Sequence, residues 1–131
     1  MSDALHVAVA VIKRSDRILI AKRANHLHKG GLWEFPGGKV EANESIHKAL
    51  IRECEEELGI SPISVKALTK IEHDYPEKRV LLDVWLITDF LGVAQGLEGQ
   101  PVVWCPINEL DQYSFPEANL EIIQLIKQLE Y

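Results

Sequence analysis

Between Gly38 and Ile60 the chain reads GKVEANESIHKALIRECEEELGI. The stretch from Glu44 to Leu58 is rich in Glu, Ala, Leu, Lys and Arg and holds neither Pro nor Gly, which predicts a single helix. Gly59 stands where a helix-ending glycine belongs. At about 100° per residue, Glu53, Glu56 and Glu57 fall on one face, at i, i+3 and i+4. Like charges at that spacing repel, so stability alone does not account for such a face. A hard divalent cation such as Mg²⁺ removes the conflict, because it takes carboxylate oxygens while retaining waters. Ile46, Leu50, Cys54 and Leu58 form an apolar stripe beside the acids and should pack on a sheet. Glu55 points the other way, towards solvent. Three acids alone would read as a solvated surface. The fixed spacing of Gly38, Glu44, Arg52 and Gly59 around them turns the reading to metal binding. Arg52 is expected to pair with Glu44 or Glu56 and so hold the glutamates in place.

The rest of the chain fits a small enzyme. Its 131 residues suit one domain spanning 1–131, with enough chain for a real core. Apolar residues make up 47% and charged residues 26%, which is ordinary for a soluble globular protein. Asp3, Lys13, Arg14 and Asp16 interrupt the start, so neither a signal peptide nor a membrane span is expected. Cys54 and Cys105 lack metal-ligand spacing and read as reduced core thiols of a cytoplasmic protein. His26, His28, His47 and His73 show no ligand spacing either. A net charge of −6 argues against a nucleic-acid polymer as partner. It still allows a polyphosphate if divalent metals neutralise the shared charge.

The segments 5–13 and 17–23 are apolar, strand-forming runs joined at Ser15-Asp16, a hairpin pattern. A Gly- and His-bearing loop over 25–38 ends in Trp33-Glu34-Phe35-Pro36-Gly37-Gly38. Residues 63–74 and 79–90 read as two strands turning at Pro76-Glu77-Lys78, 92–101 as a flexible loop, and 102–105 as a short strand. Ser114-Phe115-Pro116-Glu117 has the form of a capping box opening a last helix, whose Ile122, Ile123, Ile126 and Leu129 make one apolar stripe. This order predicts an α/β domain with a mixed sheet between the acidic helix and the C-terminal helix.

The Gly38–Ile60 pattern resembles the box of the Nudix hydrolases. Within that family nearly the whole chain is similar to the MutT-like branch, whose members sanitise oxidised guanine nucleotides. The matching stretches are the first two strands ending in Lys22-Arg23-Ala24, EFPGGK at 34–39, the box, EGQP at 98–101 and FPxAN at 115–119. The resemblance implies a Nudix fold and attack by water on a triphosphate, releasing a nucleoside monophosphate and pyrophosphate. It implies Mg²⁺, with Mn²⁺ able to substitute, held by Glu53, Glu56 and Glu57 with the Gly37 carbonyl beside them and Glu98 joining from its loop. Either Glu53 or Glu98 would take the proton from the attacking water, and the fixed helix favours Glu53. Lys39 and Arg23 are placed to meet phosphates, or are ordinary surface cations. The expected partner is a small nucleotide bound by a monomer.

Asn119 is the sharpest candidate for base recognition. Oxidation at C8 of guanine turns N7 from an acceptor into a donor, so an Asn amide can accept from N7–H while donating to O6. The plainer reading is a helix-start Asn making a local cap bond. Glu34, Phe35 and Lys78, with Arg79 as a further candidate, would line the base or phosphate region, although Phe35 could equally be a core ring. Trp33 and the run Val102-Val103-Trp104-Cys105 lean instead towards relatives acting on CTP and oxidised pyrimidine nucleotides. Those relatives tend to carry an acid where this chain has Asn119. A non-catalytic Nudix recognition module is the alternative from another class. Such modules lose box glutamates, and here all are present.

Overall fold

A computed structural model describes residues 4–23 and 31–129. The first strand, β1 (Leu5–Arg14), turns through Ser15-Asp16 into β2 (Arg17–Lys22), with Ser15 in the left-handed region at φ 55°. Two short strands follow, β3 (Trp33–Glu34) and β4 (Gly37–Lys39), and then helix α1 (Ile46–Leu58). A long hairpin of β5 (Ser61–Tyr75) and β6 (Lys78–Leu91) pairs Tyr75 with Lys78, so the turn is the dipeptide Pro76-Glu77. The chain ends in β7 (Val102–Pro106), two 3₁₀ turns at Ile107–Gln112 and Glu117–Asn119, and helix α2 (Leu120–Lys127).

The sheet is mixed. β1 and β6 run parallel from Leu5↔Val80 to Ile12↔Ile87, while the other pairings are antiparallel. The order is β3-β2-β1-β6-β5, with β4 paired to β1 and β7 to β2. A strand covered on both faces reads as a continuous apolar run, and LHVAVAVIK does. Ala8, Ala10 and Ile12 join a cluster with Leu50, Cys54 and Leu58 of α1. Val9 and Val11, pointing the other way, join Ile122, Ile123 and Ile126 of α2. The predicted layering of helix, mixed sheet and helix is therefore the one found. No helix among the described residues is long and apolar enough to cross a membrane.

Two helix starts differ from expectation. α1 begins at Ile46 instead of Glu44, because the Ser45 hydroxyl caps it, accepting from the Lys48 N–H at 3.2 Å. Glu44 is thereby released from the helix. At the C-terminus the capping box does not form. Pro116 sits at φ −59°, ψ 152°, outside the helical region, and makes no side-chain cap bond. The Ser114 carbonyl instead accepts from the Trp33 N–H at 2.8 Å, holding that segment extended. A 3₁₀ turn ending at Asn119 intervenes before α2.

Candidate functional site

Glu44, once outside the helix, turns back onto α1. Arg52 meets it with two bonds, Nε to Oε2 at 2.7 Å and a terminal nitrogen to Oε1 at 2.9 Å. The other terminal nitrogen donates to Glu53 Oε1 at 2.7 Å and reaches Glu56 Oε2 at 3.5 Å. A further bond, to the Lys39 carbonyl at 3.0 Å, ties the fork to β4. One guanidinium thus connects the loop before the helix, the helix acids and the strand beneath them. The expected pairing with Glu44 is present and stronger than that with Glu56.

β4 approaches the acids closely because it lacks side chains where it crosses them. A Cβ on Gly38 would lie 2.5 Å from the Glu53 carboxylate, and one on Gly37 would lie 2.0 Å from the Ala8 carbonyl oxygen. Any larger residue at either place would push the strand from β1 or the acid from its position.

Glu57 has the most unusual environment. Burial pushes its carboxyl well above the usual carboxylate range. A hydrogen bond shared with Glu53 and the charges of Glu53, Glu34 and Glu98 push the same way. Glu55, by contrast, is exposed, and its carboxylate accepts from the Ser61 hydroxyl at 3.1 Å. Among the described residues no three acidic, His or Cys side chains are already gathered in metal-binding geometry. The donor chemistry nevertheless fits a hard divalent cation. It consists of oxygens only, and burial, reinforced by the neighbouring acids, disfavours the charged form of one of them in the absence of a counter-charge.

Glu98 lies on the exposed loop after β6, and that loop is anchored to the end of α1. Leu97 N–H donates to the Glu57 carbonyl at 2.9 Å and Gln95 N–H to the Leu58 carbonyl at 3.0 Å, which satisfies orphan carbonyls of the last turn. Gln100 completes the tether: its Oε1 accepts from the Glu98 N–H at 2.9 Å and its Nε2 donates to the Glu57 carbonyl at 3.0 Å. The sequence offered no role for Gln100 beyond its place in EGQP. A polar side chain flanked by glycine and proline gives no sign of which distant carbonyl it will find.

A cleft of about 270 Å³ opens beside β4. It is lined by Gly37, Gly38, Lys39, Arg23, Glu34 and Phe35 and also by Tyr75, Lys78, Pro116 and Asn119, with β1 and β6 forming its floor. Residues drawn from four separate sequence stretches thus surround that floor. Arg23 is ion-paired to Glu34 at 3.2 Å. Burial raises the Glu34 carboxyl, with Arg23 opposing that shift. Phe35 is both a core ring and a cleft residue, since it is 5% exposed, stacks on Phe115 at 5.3 Å and still borders the cavity. Asn119 stands at the N-cap of α2 without a side-chain cap bond, so the plainer cap reading is not what the amide does.

Other expectations fall elsewhere. Arg79 pairs with Asp74 at 2.9 Å, away from the cleft wall. Trp33 packs edge-on to Tyr113 at 5.1 Å, and Trp104 stacks with Phe90 at 6.2 Å. Neither borders the cavity. His47 packs on Trp85 and His73 on Tyr75. His26 and His28 lie outside the described residues.

Comparison with known proteins agrees with this architecture. The model of the NUDIX domain family matches residues 7–125. The 8-oxo-dGTP diphosphatase of Escherichia coli K12 is 36% identical over 126 residues, 95% of this chain and 98% of that protein. The CTP pyrophosphohydrolase of the same organism is 37% identical over 120 residues, 92% and 89% of the two chains. Among solved structures, a MutT from work on the Aliivibrio salmonicida and Vibrio cholerae proteins superposes with a TM-score of 0.84 at 41% identity, covering 97% of this chain and all of that one. A helix that carries its acids on one guanidinium, a glycine strand pressed against them and a matching family model over most of the sequence lead to one conclusion: this chain belongs to the NUDIX family.

Proposed function

We propose that the protein is a metal-dependent pyrophosphohydrolase of nucleoside triphosphates, acting first on 8-oxo-dGTP and yielding 8-oxo-dGMP and pyrophosphate. The observation that carries this reading is the shared cleft. Strand β4, against which the Glu53 carboxylate is packed, and Asn119 line the same cavity. A nucleotide laid along it would present phosphates to the acids and a base edge to the amide. The likeness to the Escherichia coli 8-oxo-dGTP diphosphatase over nearly the full length of both chains supports the same substrate.

Glu53, Glu56, Glu57 and Glu98, with the Gly37 carbonyl, would hold Mg²⁺ or Mn²⁺. When bound, such an ion would neutralise phosphate charge and lower the pKa of a water molecule, so that loss of a proton turns it into the nucleophile. Glu53 accepts the proton of that water. Arg52, bonded to one of its oxygens at 2.7 Å, fixes that carboxylate in place. Lys39 and Arg23 face the phosphates, and Arg23 is steadied by Glu34. Lys78 approaches from the hairpin opposite. Asn119 accepts from N7–H of the oxidised base and donates to O6, a pattern that unoxidised guanine cannot match. The protein works as a monomer on free nucleotides in the cytoplasm, and its charge of −6 keeps it from nucleic-acid polymers.

The second reading is a CTP or oxidised-pyrimidine pyrophosphohydrolase, favoured by the 37% identity to the CTP enzyme. Trp33 and Trp104, on which it rests in the sequence, do not border the cleft. The test is kcat/KM for 8-oxo-dGTP, dGTP, CTP and oxidised dCTP at low nucleotide concentration, with Mg²⁺ and with excess chelator. Preference for 8-oxo-dGTP, abolished by chelator, is expected. A preference for CTP would move the protein to the second reading, and full turnover in chelator would remove the metal from the reaction.

A further inference from the structure

The loop after β6 is pinned to the end of α1 by a bracket that joins two of the acids assigned to the metal. The Gln100 amide spans them: Oε1 accepts from the Glu98 N–H at 2.9 Å, and Nε2 donates to the Glu57 carbonyl at 3.0 Å. One planar side chain therefore fixes the Glu98 backbone against the Glu57 backbone, although one acid lies on a loop and the other on a helix. The loop also closes on itself. Gly99 N–H donates to the Gly96 carbonyl at 3.1 Å, and a Cβ on Gly96 would lie 1.9 Å from the Gln100 carbonyl oxygen. Leu97 and Gln95 hold the same turn to the Glu57 and Leu58 carbonyls through their backbone N–H groups. Gln100 is the member of this set that reaches Glu98 itself.

A carboxylate on an exposed loop has to be ordered when it takes up an ion, and that ordering opposes binding. Glu98 is such an acid, exposed and carried between two glycine-bearing turns. An acid whose backbone is already held loses less freedom on binding. Burial above all, and then charges that include that of Glu98, raise the Glu57 carboxyl, so the loop acid is within electrostatic reach of the helix acid. We propose that Gln100 is a positioning residue for Glu98: by clamping the Glu98 backbone to that of Glu57, it presents the loop carboxylate to the ion that the helix acids hold. This rests on the reading of Glu98 as a metal donor given above. Gln100 then touches neither ion nor nucleotide, and acts through the acid two residues before it.

The decisive substitution is Gln100→Met, which keeps the length of the side chain and removes both bonds. The Gln95 and Leu97 backbone bonds still dock the loop. Binding of Mn²⁺ alone would be titrated by the paramagnetic resonance signal of the free ion in wild type, Gln100→Met, Glu98→Gln and the double variant. kcat at rising Mg²⁺ and thermal melts would be measured beside it. For Gln100→Met we expect Mn²⁺ to bind about 10-fold more weakly, the low end of what losing the partner of a metal ligand costs. Excess Mg²⁺ should bring its kcat back to within about twofold of wild type, because the donor acid is still present. Glu98→Gln, lacking the charge, should stay low at every Mg²⁺ concentration. The double variant should bind Mn²⁺ no more weakly than Glu98→Gln, since both act on one contact. A kcat that excess Mg²⁺ fails to restore in Gln100→Met would show a general structural role and overturn the proposal. Additive losses in the double variant, or unchanged Mn²⁺ binding in Gln100→Met beside weakened binding in Glu98→Gln, would overturn it while leaving the reading of Glu98 intact. Unchanged Mn²⁺ binding in Glu98→Gln would overturn that reading and this proposal together.

Discussion

Arg52 and Glu44 are joined by two parallel hydrogen bonds, at 2.7 and 2.9 Å, although Glu44 lies outside the helix that carries Arg52. The pair closes the loop between β4 and α1 onto the helix. Arg52, and after it the Glu41 backbone N–H, hold the Glu44 carboxyl down at about 2, against 4.5 for an ordinary glutamate. A depressed folded-state value means that the stabilisation is complete above the unfolded value and is lost as the carboxyl takes up a proton. The window runs from pH 4.5 down to about 2. Glu44→Gln should therefore have a lower urea midpoint than wild type at pH 7. The gap should narrow through that window and vanish near its lower end. A gap of constant size from pH 7 to pH 2 would locate the effect of the substitution somewhere other than this ion pair.

Glu53→Gln should preserve the fold and remove most turnover. The amide nearly matches the carboxylate in size and can still face Arg52, yet it loses both the charge and the basicity assigned to Glu53. The expected fall in kcat is about 10²- to 10⁴-fold, the usual contribution of a positioned general base. Glu55→Gln, two residues on, should stay within twofold, because that side chain is exposed and pairs with Ser61 on the far side of the helix from Glu53. Phosphate-release kinetics alongside thermal melts would separate the two. Retention of half the wild-type kcat in Glu53→Gln would end its assignment as the base.

The outcomes at these positions show where sequence was informative. The 3.6-residue period alone put Glu53, Glu56 and Glu57 together and turned Glu55 away, because a long helix without Pro or Gly leaves little freedom. The apolar runs at 5–13 and 17–23 likewise formed the expected hairpin of β1 and β2, joined at Ser15-Asp16. The start of α2 was misjudged, because a capping-box pattern is local whereas Pro116 and the Ser114–Trp33 bond depend on where β3 comes to lie. Gln100 could not be recognised from sequence for the same reason, since its partner, the Glu57 carbonyl, is 43 residues away.

Both cysteines should be inert until the protein unfolds. Cys54 is 1% exposed, and burial followed by the charges of Glu57, Glu53 and Glu55 pushes its thiol up to about 12. Cys105 is fully buried, and burial with the Glu109 charge raises it to about 11. Only the thiolate reacts readily, so both access and ionisation oppose modification at pH 8. A chromogenic disulfide reagent should titrate no thiol in the native protein and two in 6 M guanidinium. Rapid release of one equivalent from native protein would mean that the α1 face or the β7 face opens far more often than its packing implies.

Asn119→Ala should cost specificity more than chemistry. The substitution removes no helix cap, since the Asn119 side chain makes none, and it leaves Arg52 and the box acids untouched. Saturated turnover should therefore fall less than the affinity for the oxidised base. Losing two hydrogen bonds to a desolvated base edge should cost on the order of 2–4 kcal/mol, or roughly 30- to 1000-fold in kcat/KM for 8-oxo-dGTP. dGTP should change far less, because its N7 and O6 are both acceptors and cannot satisfy an amide that offers one donor and one acceptor. The measurement is kcat/KM for both nucleotides in wild type and variant, with thermal melts to establish that the turn before α2 survives. Equal losses would mean that Asn119 shapes the turn and reads no base. Unchanged values for both would place recognition on other cleft residues, with Lys78 and Glu34 next in line because they border the same cavity. In that event the pyrimidine substrates become the better candidates.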